Sequence, residues 1–223
     1  MTDLNVYFIS GLGADFHAFD RIEIPSFCVK HDLPWLEPLP SEALNNYAKR
    51  MAAGIDPTRP FVLVGLSFGG IIAIEIHQQF PALQVILISS ISNRDELPWY
   101  FRFAGSVGLH QSPILPLMKK WDKAMFWFFG TRSARLRGYL KDRMEQTTLN
   151  YLKWSLDAIV HWKQDEKPQG VLHIHGSKDK LFPIQYCSPD YIVQGGSHFM
   201  VVTHAREISR QIRDMLFKYQ DHS

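Results

Sequence analysis

The sequence contains little cysteine, little net charge and no long hydrophobic run. Its two cysteines, Cys28 and Cys187, lack the spacing of metal ligands, and a disulfide framework is not expected in a chain of 223 residues. The formal net charge of +2 gives no overall preference for nucleic acid. No apolar stretch approaches the ~20 residues of a membrane-spanning helix. Residues 1–9 also lack the basic segment and the cleavage site of a signal peptide, so we expect a cytoplasmic location.

Apolar runs that alternate with helical patterns indicate an α/β fold. The hydrophobic content of 46% is enough for a full core in one domain. Strands that alternate with helices form parallel sheets covered on both faces, so we expect a doubly wound, mostly parallel sheet of about six strands. The predicted strands lie at residues 6–10, 26–30, 61–66, 85–89, 171–175 and 191–193.

A segment without any strand pattern interrupts this alternation. Residues 98–162 lie between two predicted strands, and their clearest pattern is a helix over residues 144–160. We interpret residues 98–162 as a helical cap inserted into a core formed by residues 1–97 and 163–223.

The predicted cap differs from the rest of the chain in composition. Between Trp99 and Lys163 lie 13 of the 29 aromatic residues. These rings either line an apolar binding slot or pack the cap onto the sheet.

The same segment has 11 Lys/Arg and four Asp/Glu, whereas the rest of the chain has 13 Lys/Arg and 18 Asp/Glu. This positive charge either forms a solvated helix face or binds an acidic partner, for example an acyl carrier protein.

The pentapeptide Gly65-Leu66-Ser67-Phe68-Gly69 is the most informative motif. It reads G-x-S-x-G, and it lies between a buried apolar run and a helical pattern. In this context the sharp strand-to-helix turn exposes the serine hydroxyl at the end of the sheet. Ser67 is therefore the candidate nucleophile, and the alternative is an ordinary glycine-rich turn.

A serine hydroxyl needs an adjacent base, which in a doubly wound sheet comes from a loop at the carboxyl end of a strand. His198 satisfies this requirement, because it follows the last predicted strand on a glycine-rich loop. Other histidines lie in strands, in helices or on loops that would not orient them: His17, His31, His77, His110, His161, His173, His175 and His204.

The remaining groups of an acyl-transfer site are also placed by strand ends. Asp179 follows the predicted strand 171–175 in a glycine-led turn and is the candidate acid that orients His198; Asp95 is the alternative. The oxyanion of the reaction needs backbone donors, for which we predict the N–H groups of Phe68 and Leu12.

The order of these motifs resembles the α/β-hydrolase superfamily over nearly the whole chain. The matching segments are Ser10–Gly13, Gly65–Gly69, Gly176–Asp179 and Gly195–Phe199. The family often has His-Gly where this chain has Ser10-Gly11. The chain also starts at the strand that is usually the third, so the resemblance implies a compact version without the first antiparallel hairpin.

The expected function is hydrolysis of a carboxylic ester or thioester with an apolar acyl or alkyl group, through Ser67, His198 and Asp179. This chemistry requires no metal and no cofactor, and its substrate is a small molecule. The resemblance to small capped carboxylesterases includes methyl esterases that act on carrier-protein-bound acyl chains. Two alternatives stay open: a non-hydrolytic enzyme on the same fold (a lyase or a cofactor-free oxygenase), and an inert ligand-binding or signalling protein.

Overall fold

A six-stranded parallel sheet forms the centre of the molecule. The computed structural model describes residues 3–108, 111 and 122–222. The sheet order is β2-β1-β3-β4-β5-β6, and all neighbouring strands are parallel. This confirms the predicted fold class. The strands are β1 Leu4–Ile9, β2 Cys28–Asp32, β3 Phe61–Leu66, β4 Gln84–Ile88, β5 Val171–Gly176 and β6 Tyr191–Val193.

The inner strands are apolar because both faces of the sheet are covered. Every residue of β1, β3 and β4 is buried. Successive side chains point to opposite faces. In β1, Tyr7 and Ile9 join one hydrophobic cluster, and Val6 and Phe8 join the other. A continuous apolar run is therefore the sequence signature of these strands.

Helices supply the two outer layers. The helices are α1 Leu44–Met51, α2 Phe68–Gln79, α3 Trp99–Ser106, α4 Asp122–Phe129, α5 Ala134–Gln146, α6 Leu149–Val160, α7 Met200–Thr203 and α8 Ala205–Leu216. Helices α1, α2 and α6 pack with the first cluster, and side chains of α4, α5, α7 and α8 pack with the second.

The described residues between β4 and β5 contain the helices α3 to α6 and no strand. The single helix predicted over residues 144–160 is wrong, because the chain breaks between α5 and α6. Thr148 has extended backbone angles there, and its hydroxyl accepts a hydrogen bond from the Tyr151 N–H at 3.0 Å. This N-cap starts a new helix. The division into a core and a cap over residues 98–162 stays a prediction.

Candidate active site

Ser67 lies at the turn between β3 and α2, in a strained backbone conformation. Its φ and ψ angles are 53° and −123°, a sparsely populated region that costs about 1–3 kcal/mol for a residue with a side chain. The turn also needs Gly69, because a Cβ atom there would lie 2.3 Å from the carbonyl oxygens of Ile9 and Ser10. The elbow predicted from the pentapeptide therefore has this geometric basis: helix α2 begins directly against the end of β1.

His198 lies within hydrogen-bonding distance of Ser67. Its Nε2 atom is 2.9 Å from Ser67 Oγ, and the imidazole is buried. The edges of two aromatic rings enclose it, those of Phe129 at 5.2 Å and of Phe182 at 5.5 Å between ring centroids. The structure thus brings together the predicted nucleophile and the predicted base, although 131 residues separate them in the sequence.

Asp179 completes a chain of hydrogen bonds behind His198. Its Oδ2 atom lies 2.8 Å from His198 Nδ1. Its Oδ1 atom accepts hydrogen bonds from the Leu181 N–H at 2.8 Å and the Phe182 N–H at 2.9 Å. Because the carboxylate can only accept, His198 carries its proton on Nδ1 and presents an unprotonated Nε2 to the serine hydroxyl. This arrangement can accept a proton from Ser67.

The alternative acid, Asp95, has a different environment. Its side chain is 76% exposed, and it pairs with Arg102 at 3.2 Å on the surface. This ion pair does not involve His198. Asp95 therefore has the features of a solvated loop acid.

The two predicted oxyanion donors belong to segments next to the serine. Phe68 is the first residue of α2, and the first N–H groups of a helix have no intrahelical acceptor. The turn after β1 packs on Ser67 closely, since a Cβ atom on Gly11 would lie 3.1 Å from Ser67 Cβ. Leu12 follows in this turn, and within the described residues its N–H donates to no backbone carbonyl. The assignment of both N–H groups to an oxyanion site stays a prediction.

Trp35 is a neighbour of this turn that the sequence did not indicate. Its indole stacks on the Phe68 ring with a centroid distance of 5.4 Å and an interplanar angle of 5°. Its Nε1 donates to Ser10 Oγ at 2.9 Å, and Ser10 Oγ in turn donates to the Ala14 carbonyl at 3.0 Å. Trp35 therefore connects the turn after β1 to the first residue of α2.

A pair of buried histidines lies behind Asp179. His175 Nε2 is 2.7 Å from the Phe182 carbonyl oxygen and 3.6 Å from Asp179 Oδ2. His173 Nε2 is 2.9 Å from His175 Nδ1. Glu96 lies beyond them, with its Oε2 atom 4.0 Å from His173 Nδ1. Both histidines lie within β5, and for that reason the sequence does not indicate them as site residues. The chain turns after Gly176, and this turn brings residues 179–182 close to His175.

Hydrogen bonding fixes the proton positions of this histidine pair. The Phe182 carbonyl only accepts, so His175 Nε2 carries a proton and His175 Nδ1 accepts one from His173 Nε2. Burial lowers the pKa of His173 well below its usual range, and the charges of His175 and Lys167 lower it further. Burial also lowers the pKa of His175, against the opposing effect of Asp179. Both rings are accordingly neutral near pH 7.

The aromatic residues predicted to line a slot have different locations. Phe129 contacts His198, whereas Trp99 and Phe103 are 61% and 63% exposed on α3. Phe126 lines a separate cavity, described below. Trp121 and the histidine His110 lie outside the described residues.

Within residues 3–108, 111 and 122–222, no group of three or more His, Cys, Asp or Glu side chains is arranged to hold a metal ion. Across these same ranges, no helix is long and apolar enough to cross a membrane.

Residues 5–211 match the sequence pattern of the alpha/beta hydrolase family. The chain belongs to this family. The match spans most of the chain and includes every predicted site residue of this α/β hydrolase. No curated protein sequence matches the chain significantly.

Solved structures share the fold at low sequence identity. A thermophilic esterase from Thermogutta terrifontis is 14% identical, with a TM-score of 0.68 over 97% of this chain and 90% of that one. A type II thioesterase of the yersiniabactin pathway is 18% identical, with a TM-score of 0.60 over 94% and 91%. A candidate non-heme bromoperoxidase from Mycobacterium tuberculosis is 16% identical, with a TM-score of 0.65 over 95% and 91%. At these identities the likeness shows the shared fold.

Proposed function

We propose that this protein is a serine hydrolase of carboxylic esters or thioesters, with Ser67 as nucleophile, His198 as base and Asp179 as acid. The observation that carries the proposal is the continuous chain of hydrogen bonds from Ser67 Oγ through His198 to Asp179, at 2.9 and 2.8 Å. The strained backbone of Ser67 supports it, since such strain concentrates at functional sites.

The reaction follows from the proton positions. His198 Nε2 takes the hydroxyl proton as Ser67 Oγ attacks the substrate carbonyl carbon, and the N–H groups of Leu12 and Phe68 stabilise the oxyanion. The imidazolium then gives its proton to the leaving alcohol or thiol, and an acyl-enzyme forms. In the second half of the reaction, His198 takes a proton from a water molecule that attacks the acyl carbon. The imidazolium then returns this proton to Ser67 Oγ, and the carboxylic acid leaves. Asp179 stays ionised and stabilises the imidazolium.

The rings around His198 support an apolar acyl or alkyl group in the substrate. Phe129 and Phe182 contact the imidazole, and water is thereby excluded from one side of the base. No metal or cofactor takes part in the proposed steps. The cytoplasmic location, and an acyl carrier protein as the bearer of the acyl group, stay predictions.

Labelling with a fluorophosphonate probe tests the nucleophile. Wild-type protein should react with the probe and lose turnover of an aryl ester, whereas Ser67→Ala should not react. Ser90→Ala is a matched control, because Ser90 lies nearby and its Oγ donates to the carbonyls of Ser67 at 2.7 Å and Ile91 at 3.5 Å. Labelling that persists in Ser67→Ala would refute the assignment of the nucleophile.

A turnover series separates hydrolysis from the alternatives. The series compares short- to long-chain aryl esters with acyl thioesters, and Ser67→Ala serves as the blank. Release of acid and alcohol or thiol in equal amounts supports a hydrolase. A labelled protein without turnover on either series would favour a non-hydrolytic enzyme of this fold.

A further inference from the structure

A strongly basic cavity lies beside the loops that carry Asp179 and His198. It has a volume of about 840 Å³, and among the described residues no Asp or Glu side chain lines it. Residues of α4, the start of α5 and the two loops form its walls. Five cations and one histidine define what we call the basic groove: Lys123, Arg132, Arg137, Lys178, Lys180 and His204.

The cations of the groove form no ion pairs within the described part of the chain. Arg102, Lys141 and Arg143 of the helical segment pair with Asp95, Asp122 and Asp15 at 3.2, 3.0 and 3.0 Å. The five Lys and Arg of the groove form no ion pair with any described carboxylate. Three of these five belong to the predicted cap, and Lys178 and Lys180 come from the loop of Asp179, so unpaired positive charge from two segments converges on one cavity.

Aromatic rings hold two of these cations over the groove. The Lys180 ammonium lies 4.0 Å from the centroid of the Trp127 ring, and the Arg137 guanidinium lies 5.4 Å from that of Phe126. Trp127 is itself 56% exposed. The groove thus presents both charge and an apolar ring surface to a ligand.

The groove adjoins the candidate active site through the backbone. Lys178 and Lys180 flank Asp179, and Ser197 of the groove wall precedes His198. The opposite wall is in close contact with this loop, because a Cβ atom on Gly130 would lie 2.4 Å from Ser197 Cβ. A ligand in the groove therefore lies against the two loops that carry Asp179 and His198.

We propose that the basic groove binds the phosphate groups on the thiol of an acyl thioester substrate. This inference rests on the proposed function and names its substrate class. Arginine and lysine side chains are the usual partners of phosphate. The cavity is concave, and its volume lies in the range of small-molecule sites. The proposal requires that a flexible thiol arm reach from the groove to Ser67.

Kinetics with matched thioesters test the proposal. A coenzyme A thioester is compared with the N-acetylcysteamine thioester of the same acyl group, which lacks phosphate. Removing two of the five positive charges with Arg132→Gln/Arg137→Gln should lower the ratio of the two kcat/KM values at least tenfold, mainly through KM. The matched control is Arg135→Gln/Arg206→Gln, because these exposed arginines lie outside the groove. Equal losses on both thioesters, or an equal fall in the control, would overturn the proposal.

Direct binding keeps this test independent of catalysis. Adenosine 3′,5′-bisphosphate should bind Ser67→Ala in calorimetry, and its affinity should fall at least tenfold in Ser67→Ala/Arg132→Gln/Arg137→Gln. Absence of binding refutes the groove, whereas binding without turnover of any ester refutes the proposed function instead.

An acyl carrier protein supplies the other source of a phosphate-bearing thiol. If the groove variant affects only this protein-bound substrate, the groove recognises an acidic protein surface and the proposal is wrong.

Discussion

Acidification should destabilise this protein through the two buried histidines of β5. His173 and His175 are both fully buried, and their pKa values are lowered, chiefly by burial. In the unfolded chain each takes up a proton near the ordinary pKa of 6.5. Since the folded state does not bind these protons, the free energy of unfolding falls as the pH decreases below 6.5.

The magnitude follows from linkage. One histidine that stays neutral in the folded state costs about 1.4 kcal/mol per pH unit below its unfolded pKa. Between pH 7.5 and 5.5 we expect a loss of about 1.4 kcal/mol from His173. His175 adds up to the same amount, because Asp179 partly opposes the lowering of its pKa. Histidines whose pKa is equal in both states contribute nothing to this difference.

Urea denaturation at several pH values, followed by tryptophan fluorescence, measures the effect. His173→Gln can keep the hydrogen bond to His175 Nδ1 and should lose about 1.4 kcal/mol of the pH dependence over this range. The groups facing His173 and His175 are Glu96, Asp179, Asp190, Lys167 and His198. If wild type and His173→Gln show the same pH dependence, Glu96 stabilises a protonated His173 in the folded state and the reasoning is refuted.

Three substitutions test the geometry of the site. Asp179→Asn should lower kcat about 10³- to 10⁴-fold with the fold retained, whereas Asp95→Asn should stay near wild type; the reverse result would reassign the acid. Gly69→Ala should prevent folding, as judged by circular dichroism, because its Cβ meets two carbonyl oxygens at 2.3 Å, whereas Gly138→Ala meets nothing and should fold. Phe129→Ala should change the chain-length preference among aryl esters, since its ring borders His198; an unchanged preference would leave it a packing role only.

The sheet and the elbow could be predicted from the sequence because a few local constraints determine them. The strands β1, β3 and β4 are buried on both faces, so their sequences are apolar without interruption. A glycine is required at position 69, where α2 meets the end of β1, and this requirement appears in the sequence as the last glycine of G-x-S-x-G. The loops of Asp179 and His198 follow strands, so the topology alone brings them to the same edge of the sheet.

Features that depend on packing between distant segments could not be predicted. The pairing of His175 with the Phe182 carbonyl requires the path of the chain after Gly176, which no periodicity encodes. Trp35 reaches Ser10 across 25 residues of sequence. The break between α5 and α6 was missed because the apolar spacing continues through it, although Thr148 is a good N-cap residue.

The sequence determines the sheet more strongly than the helical segment, and it therefore indicates the reaction more clearly than the substrate. The groups that we assign to the chemistry lie on loops that follow strands, and the inner strands are packed on both faces, so a shifted strand would disturb the core on both sides. Their placement is therefore strongly determined. The residues that we assign to substrate recognition are exposed, such as Trp127 on α4 and Arg132 on the loop before α5, and many sequences satisfy the same packing at exposed positions. Sequence motifs therefore suggest the reaction type, whereas the groove is recognised only when its cations, from 123 to 180 in the sequence, are brought together.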